Sequence, residues 1–280
     1  MADPTGFPLK DNATHDATEH YERYSAPLMA PFVTAVVDAT DLFPGAHVLD
    51  LACGTGFVAR AAAAQVGPTG HVAGADFLEA MLTTAARHAP RMYPDIEFTQ
   101  APAHKLPYPD DSFDAVICQQ GVQFFPDLDA ALNEAARVTR PGGRFTATTW
   151  APPVDRSPYI AAHHKAVTEH GTPEAKARFA ISHSCPADRI TAALTTAGFH
   201  DITTREVTFA IAFPDVADFV TGHLAAVPWG QSIEEAGGRA GFTEAARTIR
   251  EALAPYTAPD GSATLPFTST LATATRPTTR

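Results

Sequence analysis

The sequence predicts an α/β fold: a doubly wound sheet, mostly parallel with an antiparallel strand at the edge, plus N-terminal helices and a helical cap. Three observations carry this expectation. Between residues 44 and 150, short apolar runs alternate with helical stretches. The first run ends in a glycine turn, Gly54-Thr55-Gly56, that opens a helix. Two long alternating stretches, 201–213 and 262–275, read as an antiparallel pair.

The elements follow in order. From about Thr14 to Asp38 two helices are expected, the second carrying Leu28, Phe32, Val36 and Val37 at helical spacing. After the turn at Pro44-Gly45 come strand 47–52, a helix at about 58–65, strand 71–76 and a helix over 77–89. Strands at 96–100, 113–120 and 144–150 complete the repeat, with a helix at 129–138 before the last of them. Next, Ser157 as N-cap, Pro158 at the first helical position and Gly171 beyond the end punctuate another helix. Residues 186–199 form a further helix with its stop at Gly198, and 214–261 carry helices and the loop "VPWGQS". The expected organisation is an N-terminal helical lid (1–43), a ligand-binding core (44–150) and a last part (151–280). That last part holds cap helices, at about 151–200 and 214–261, and two strands of the sheet.

Composition narrows the function. With 280 residues, 45% of them hydrophobic, the chain can bury a substantial core. Its formal charge of −11 repels phosphate backbones, so no nucleic-acid partner is expected. No apolar run is long enough for a membrane span, and the polar amino terminus is not a signal peptide, so no membrane partner is expected either. Three scattered cysteines argue against a disulfide framework and fit a cytoplasmic location.

Gly54 to Ala59 fits G-x-G-x-x-G/A, a pattern shared by several nucleotide-binding loops. The neighbouring acid separates them. Asp50 lies four residues before Gly54, at the carboxyl end of its strand, where it would repel a pyrophosphate and suit a cationic ligand such as an amino acid's ammonium group. The glycines let such a ligand approach the backbone closely. An NAD(P)-linked oxidoreductase remains a weaker alternative on this loop.

Four blocks, "VLDLACGTG", "VAGADFLEAML", "LPYPDDSFDAVICQQGVQFFPD" and "EAARVTRPGGRF", resemble in order and spacing the Rossmann-like class I S-adenosylmethionine-dependent methyltransferases. The resemblance is closest to the quinone-biosynthesis and small-molecule branch and covers about residues 20–150. It implies S-adenosyl-L-methionine as cofactor, with Asp50, Ala52, Gly54 and Gly56 lining the methionine end. It further implies Asp76 at the ribose hydroxyls and Phe77 or Met81 beside the adenine. In this family an Asp usually stands where this chain has Pro102; proline offers neither an acceptor nor an N–H, leaving the Ala103 N–H for the adenine. Gln119 would contact the methionyl part through its backbone, and Gln120, Gln123 and Phe124 would face the methyl group and its acceptor. The family's Asn-Pro-Pro-aromatic stretch, used for amide and adenine-amino acceptors, is absent.

These features point to methyl transfer onto a small, largely apolar or aromatic acceptor, with oxygen or carbon favoured. The alternative keeps the cofactor but performs non-methylating chemistry such as a rearrangement. His20, Tyr21 and Tyr24 sit in the helix expected to close over the site: Tyr24 on the cofactor, Tyr21 in the substrate pocket. Candidates for a general base are His163, His164 and His20, with His183 and His223 ranked lower. No His/Asp/Glu set has metal-ligand spacing, so no metal is expected. The partner is a small-molecule acceptor, and a homodimer is compatible with this reading.

Overall fold

The computed structural model describes residues 15–90 and 95–278. Its sheet has seven strands: β1 (His47–Leu51), β2 (His71–Asp76), β3 (Glu97–Gln100), β4 (Phe113–Gln119), β5 (Thr139–Trp150), β6 (His200–Phe213) and β7 (Ala263–Thr275). Nine helices accompany them among the described residues: α1 (His15–Thr40), α2 (Phe57–Val66), α3 (Glu79–His88), α4 (Leu128–Val138), α5 (Pro158–His170), α6 (Pro173–Ser182), α7 (Ala187–Thr196), α8 (Val216–Ala226) and α9 (Pro228–Leu253).

The strand order is β3-β2-β1-β4-β5-β7-β6. β1 to β5 pair in parallel, while β7 runs antiparallel between β5 and β6. This is the doubly wound, mostly parallel sheet that the residue pattern predicts, except that its antiparallel strand, β7, lies one in from the edge and the edge strand β6 runs the same way as β1–β5. The order reverses between β1 and β4, so a crevice opens at their carboxyl ends, where α/β sheets bind ligands.

Alternation along the strands builds two cores. Val48 and Ile117 face α1, α2 and the cap, joining Phe32, Val36 and Leu224. Their neighbours Leu49 and Cys118 face the other way, onto Leu132 of α4 and Ile190 and Leu194 of α7. α7 therefore belongs to the layer covering the sheet, packed on α4, β6 and β7, although its position within 151–200 suggested the cap. α5, α6, α8 and α9 form the cap itself.

Three further boundaries differ from expectation. The N-terminal region is one helix, α1, running through Pro27 and Pro31. An internal proline costs about 3 kcal/mol, but the stripe Leu28, Phe32, Val36 and Val37 is buried along its length, and that burial outweighs the local penalty. β5 begins at Thr139, because "RPGG" continues the strand through a register shift. The stretch "VPWGQS" is no loop: Val227 is the N-cap of α9 and Pro228 opens the helix, the position where proline is best tolerated.

Candidate active site

The first β/α turn gathers the chemistry. Ala52, Gly54 and Gly56 all have positive φ (57°, 53° and 86°), so the chain doubles back sharply between β1 and α2. A side chain on Gly54 would project into open space, the crevice that a ligand would fill. Two carboxylates hold the turn. Asp50 Oδ2 accepts the Ala59 N–H at 2.8 Å, and Asp76 accepts Gly54 N–H through Oδ2 at 2.8 Å and Leu78 N–H through Oδ1 at 2.9 Å.

Burial pushes the Asp50 carboxyl up to about 7; the Ala59 bond opposes the shift and the charge of Asp76 adds to it. Asp76 is raised as well, by burial against the pull of its backbone bonds. The nearby cation, Arg60, is paired with Glu22 at 2.5 Å. The turn is therefore a negative environment that favours a cation and disfavours a pyrophosphate.

The raised Asp50 value has a measurable consequence. Between about 4 and 7 the unfolded chain releases this proton while the folded chain keeps it, so Asp50's contribution to stability falls as pH rises through that window. Asp50→Asn keeps an acceptor for Ala59 and removes the charge. Thermal melts should show this variant several degrees more stable than the parent at pH 8, with no advantage near pH 4. Equal melting temperatures at pH 8 would contradict the assignment.

Two cavities meet at this turn. The smaller has about 740 Å³ of space including its mouth, and is lined by Ala52, Asp76, Phe77, Ala101, Pro102 and Ala103. The larger, about 1160 Å³, lies beneath the cap between Tyr21, Met29, Trp150, Tyr159, Phe179 and Trp229. Leu78, Gln120 and Phe124 line both, so the two cavities adjoin.

The predicted residues sort clearly against these walls. Ala52, Asp76, Phe77 and Ala103 line the smaller cavity, as a nucleoside site requires. Gly54, Tyr21, Gln120, Gln123 and Phe124 line the larger one. Met81 also lines the larger cavity rather than the presumed adenine end. Gly56 packs against Ala85 and Phe98, serving the turn. Asp50 lines neither cavity, since its carboxylate is buried under the turn at the start of α2. Gln119 turns toward Met29 Sδ at 3.4 Å.

Three candidates are displaced. Tyr24 wedges between Gly222 and Phe219 and reaches Asp218 at 3.4 Å, so it joins α1 to α8. His20 is exposed on an outer groove with it. His164 is exposed and stacks on Phe179 at 5.4 Å. Helical position puts each on the wrong side: His163 faces inward, and its sequence neighbour is about 100° away.

His163 lines the larger cavity and is buried, with its Nδ1 accepting the Trp229 indole N–H at 3.1 Å. Burial lowers its pKa well below the ordinary value. His223 is also held low, at about 4, by burial, and its Nδ1 meets the Tyr159 hydroxyl at 2.9 Å. Sequence reasoning missed Arg178 and undervalued His183, both on this cavity. A signal existed: Arg178, Phe179, Ser182 and His183 follow i, i+1, i+4, i+5 spacing, one face of a helix. Among the described residues no cluster of three or more His, Cys, Asp or Glu is placed to hold a metal, and no helix is long and apolar enough to cross a membrane.

A doubly wound sheet, an acid-flanked glycine turn and two adjoining cavities at the carboxyl ends of β1 and β4 define a ligand-binding α/β protein of the nucleotide-fold type. The methyltransferase domain family matches residues 48–143. Over 121 residues the chain is 40% identical to the ubiquinone/menaquinone biosynthesis C-methyltransferase of Hahella chejuensis, covering 42% of this chain and 49% of that one. Over 134 residues it is 35% identical to the nocamycin O-methyltransferase of Saccharothrix syringae, covering 48% of each. The chain thus spans about half the length of the curated relatives it matches. Phosphoethanolamine N-methyltransferase 2 of Haemonchus contortus shares the fold, with a TM-score of 0.58 at 17% identity over 96% of this chain and 59% of that one. Residues 48–143 therefore match a methyltransferase domain, and the stretch shared with the curated relatives is similar to quinone-biosynthesis and O-methyltransferases.

The walls fit that family's cofactor. Asp76 presents the acceptor a ribose needs, and the apolar Ala101, Pro102 and Ala103 segment suits an adenine. Pro102 occupies the position of the family's usual acid, and the Ala103 N–H beside it has no partner among the described residues.

Proposed function

We propose that this protein transfers the methyl group of S-adenosylmethionine to a small, largely apolar or aromatic acceptor, at oxygen or carbon. The observation that carries the proposal is that the two cavities adjoin, sharing Leu78, Gln120 and Phe124 as lining residues. A nucleoside held at Asp76 directs its charged end past Gly54 into a space walled by aromatic side chains. The named activities of the two curated relatives, C- and O-methylation of small molecules, support the same reading.

When bound, the cofactor supplies the reactive sulfonium; the chain supplies alignment and exclusion of water. Asp76 holds the ribose. Gly54 leaves room for the methionyl part, and Asp50 acts from beneath, fixing the turn and adding negative charge toward the ammonium group. Tyr21, stacked on Phe57 and pushed up to about 12 by burial, stays a neutral phenol that covers the crevice.

Titration calorimetry with S-adenosylhomocysteine should show saturable binding, and no binding would overturn the proposal. Asp50→Ala should weaken that binding about tenfold or more while leaving adenosine nearly unchanged, because adenosine lacks the amino-acid end. A single turnover with methyl-labelled cofactor and a metabolite extract should move label into a small apolar product. Binding without any label transfer would favour the non-methylating alternative.

A further inference from the structure

Four buried polar atoms on residues that line the larger cavity have no protein partner: His163 Nε2, His183 Nε2, Arg178 Nε and Gln123 Oε1. A buried donor or acceptor left unmet costs about 1–3 kcal/mol, so four on the residues around one cavity point to a ligand that meets several of them. Their hydrogen-bonding sense can be assigned. An indole N–H only donates, so His163 Nδ1 accepts from Trp229 and the neutral ring carries its proton on Nε2. A peptide carbonyl only accepts, so His183 Nδ1 carries a proton toward Phe179 O at 3.2 Å, leaving a lone pair on Nε2. Burial keeps both rings in the neutral form that this assignment requires. The two histidines are thus locked in opposite tautomers by different neighbours. Arg178, only 7% exposed, spends one nitrogen on Glu174 at 2.8 Å and keeps its Nε–H unmet. Glu174 is about half exposed, so solvent weakens its claim on the guanidinium.

The set therefore comprises two donors, His163 Nε2–H and Arg178 Nε–H, and two acceptors, His183 Nε2 and Gln123 Oε1. Around them the walls are aromatic and aliphatic, including Phe179, Trp229, Ile160 and Phe267. We propose that this cavity recognises a hydroxylated carbonyl compound: an apolar ring bearing a carboxylate or ketone oxygen together with a free hydroxyl. The carbonyl oxygens accept from Arg178 and His163, and the hydroxyl donates to His183 Nε2. This rests on the larger cavity being the acceptor site, and it makes His183 the group that holds the acceptor's hydroxyl proton.

The probes are 3-hydroxy-2-naphthoate and 6-hydroxy-2-naphthoate, which differ in spacing, against 2-naphthoate and 2-naphthol, which each carry one function. Quenching of the chain's two tryptophans reports binding, since Trp150 and Trp229 both line the cavity. The full chain is titrated with S-adenosylhomocysteine present. At least one hydroxynaphthoate should bind roughly tenfold or more tighter than both single-function ligands. His183→Phe should erase the gain from the hydroxyl, His183→Gln should restore part of it, and Arg178→Met should erase the gain from the carboxylate. Equal affinity of all four probes for the parent would overturn the inference, whether or not the variants fold. So would folded variants that leave the ranking unchanged. Calorimetry on the same samples separates the two levels. If S-adenosylhomocysteine binds while the ranking is absent, only this inference falls; if S-adenosylhomocysteine does not bind, the proposed function falls.

Discussion

Asp76→Ala should lower the affinity for both S-adenosylhomocysteine and adenosine by on the order of 100-fold, the loss of about two charge-assisted contacts of moderate strength. Two mechanisms add. The ribose loses its acceptor, and the Gly54 and Leu78 N–H groups lose the carboxylate oxygens that hold the turn at 2.8 and 2.9 Å. The structural part can be read separately, because Asp76→Asn keeps one oxygen for a backbone donor while its amide end faces the other. That variant should melt below the parent by the cost of one unmet backbone N–H, about 1–3 kcal/mol, but above Asp76→Ala, and still bind adenosine poorly. The contrast with Asp50→Ala is the sharper test, since Asp50 lines neither cavity and should not affect adenosine. A folded Asp76→Ala protein that binds adenosine like the parent would remove the ribose assignment.

Gly230→Ala should be the most damaging single-methyl change in the cap. Its Cβ would sit 1.7 Å from the Leu224 carbonyl oxygen and 2.7 Å from the carbonyl carbon, which are backbone atoms that cannot rotate away. Leu224 is fully buried and the Gly230 N–H is bonded to Val227 O at 3.0 Å, so the elbow between α8 and α9 must open to admit the methyl. Overpacking of this kind costs about 1–3 kcal/mol and more where backbone must move. Urea denaturation should show a loss at the top of that range. Gly241→Ala, also in α9, is the control. Its nearest neighbour beyond the local helix is Ile233 O at 3.8 Å, an ordinary contact, so relief of glycine's helix penalty should raise stability by roughly 0.5–1 kcal/mol. Equal effects from the two changes would show that the elbow is not tightly packed.

The cofactor half of the site is legible in sequence because its parts are local. Asp50, Ala52, Gly54 and Gly56 lie within seven residues, and Asp76 ends the adjacent strand, paired in register with β1. A parallel sheet places consecutive strand ends side by side, so spacing along the chain translates directly into proximity. Even there the division of labour was hidden. Asp50 and Asp76 look alike in sequence, yet burial puts one beneath the turn and the other on the cavity wall.

The larger cavity, the proposed acceptor half, is assembled from α1, α5, α6, the α8–α9 elbow and β7, segments separated by up to about 250 residues, and no short-range pattern relates them. Adjacent histidines show this most plainly: His163 is buried against Trp229 while His164 lies outside on Phe179. Nothing in the dipeptide distinguishes them. Their placements were set by which helix face meets the partner helix α9, where the indole of Trp229 donates to His163. By itself, the sequence determined the sheet, its order of elements and the acid-flanked turn, because alternation, glycine and strand-end acids act over a few residues. Only the tertiary structure decided that α1 passes unbroken through two prolines and that α7 leaves the cap for the sheet. It also decided that His183 and Arg178 enter the cavity, since burial against distant side chains outweighs local preference by several kcal/mol.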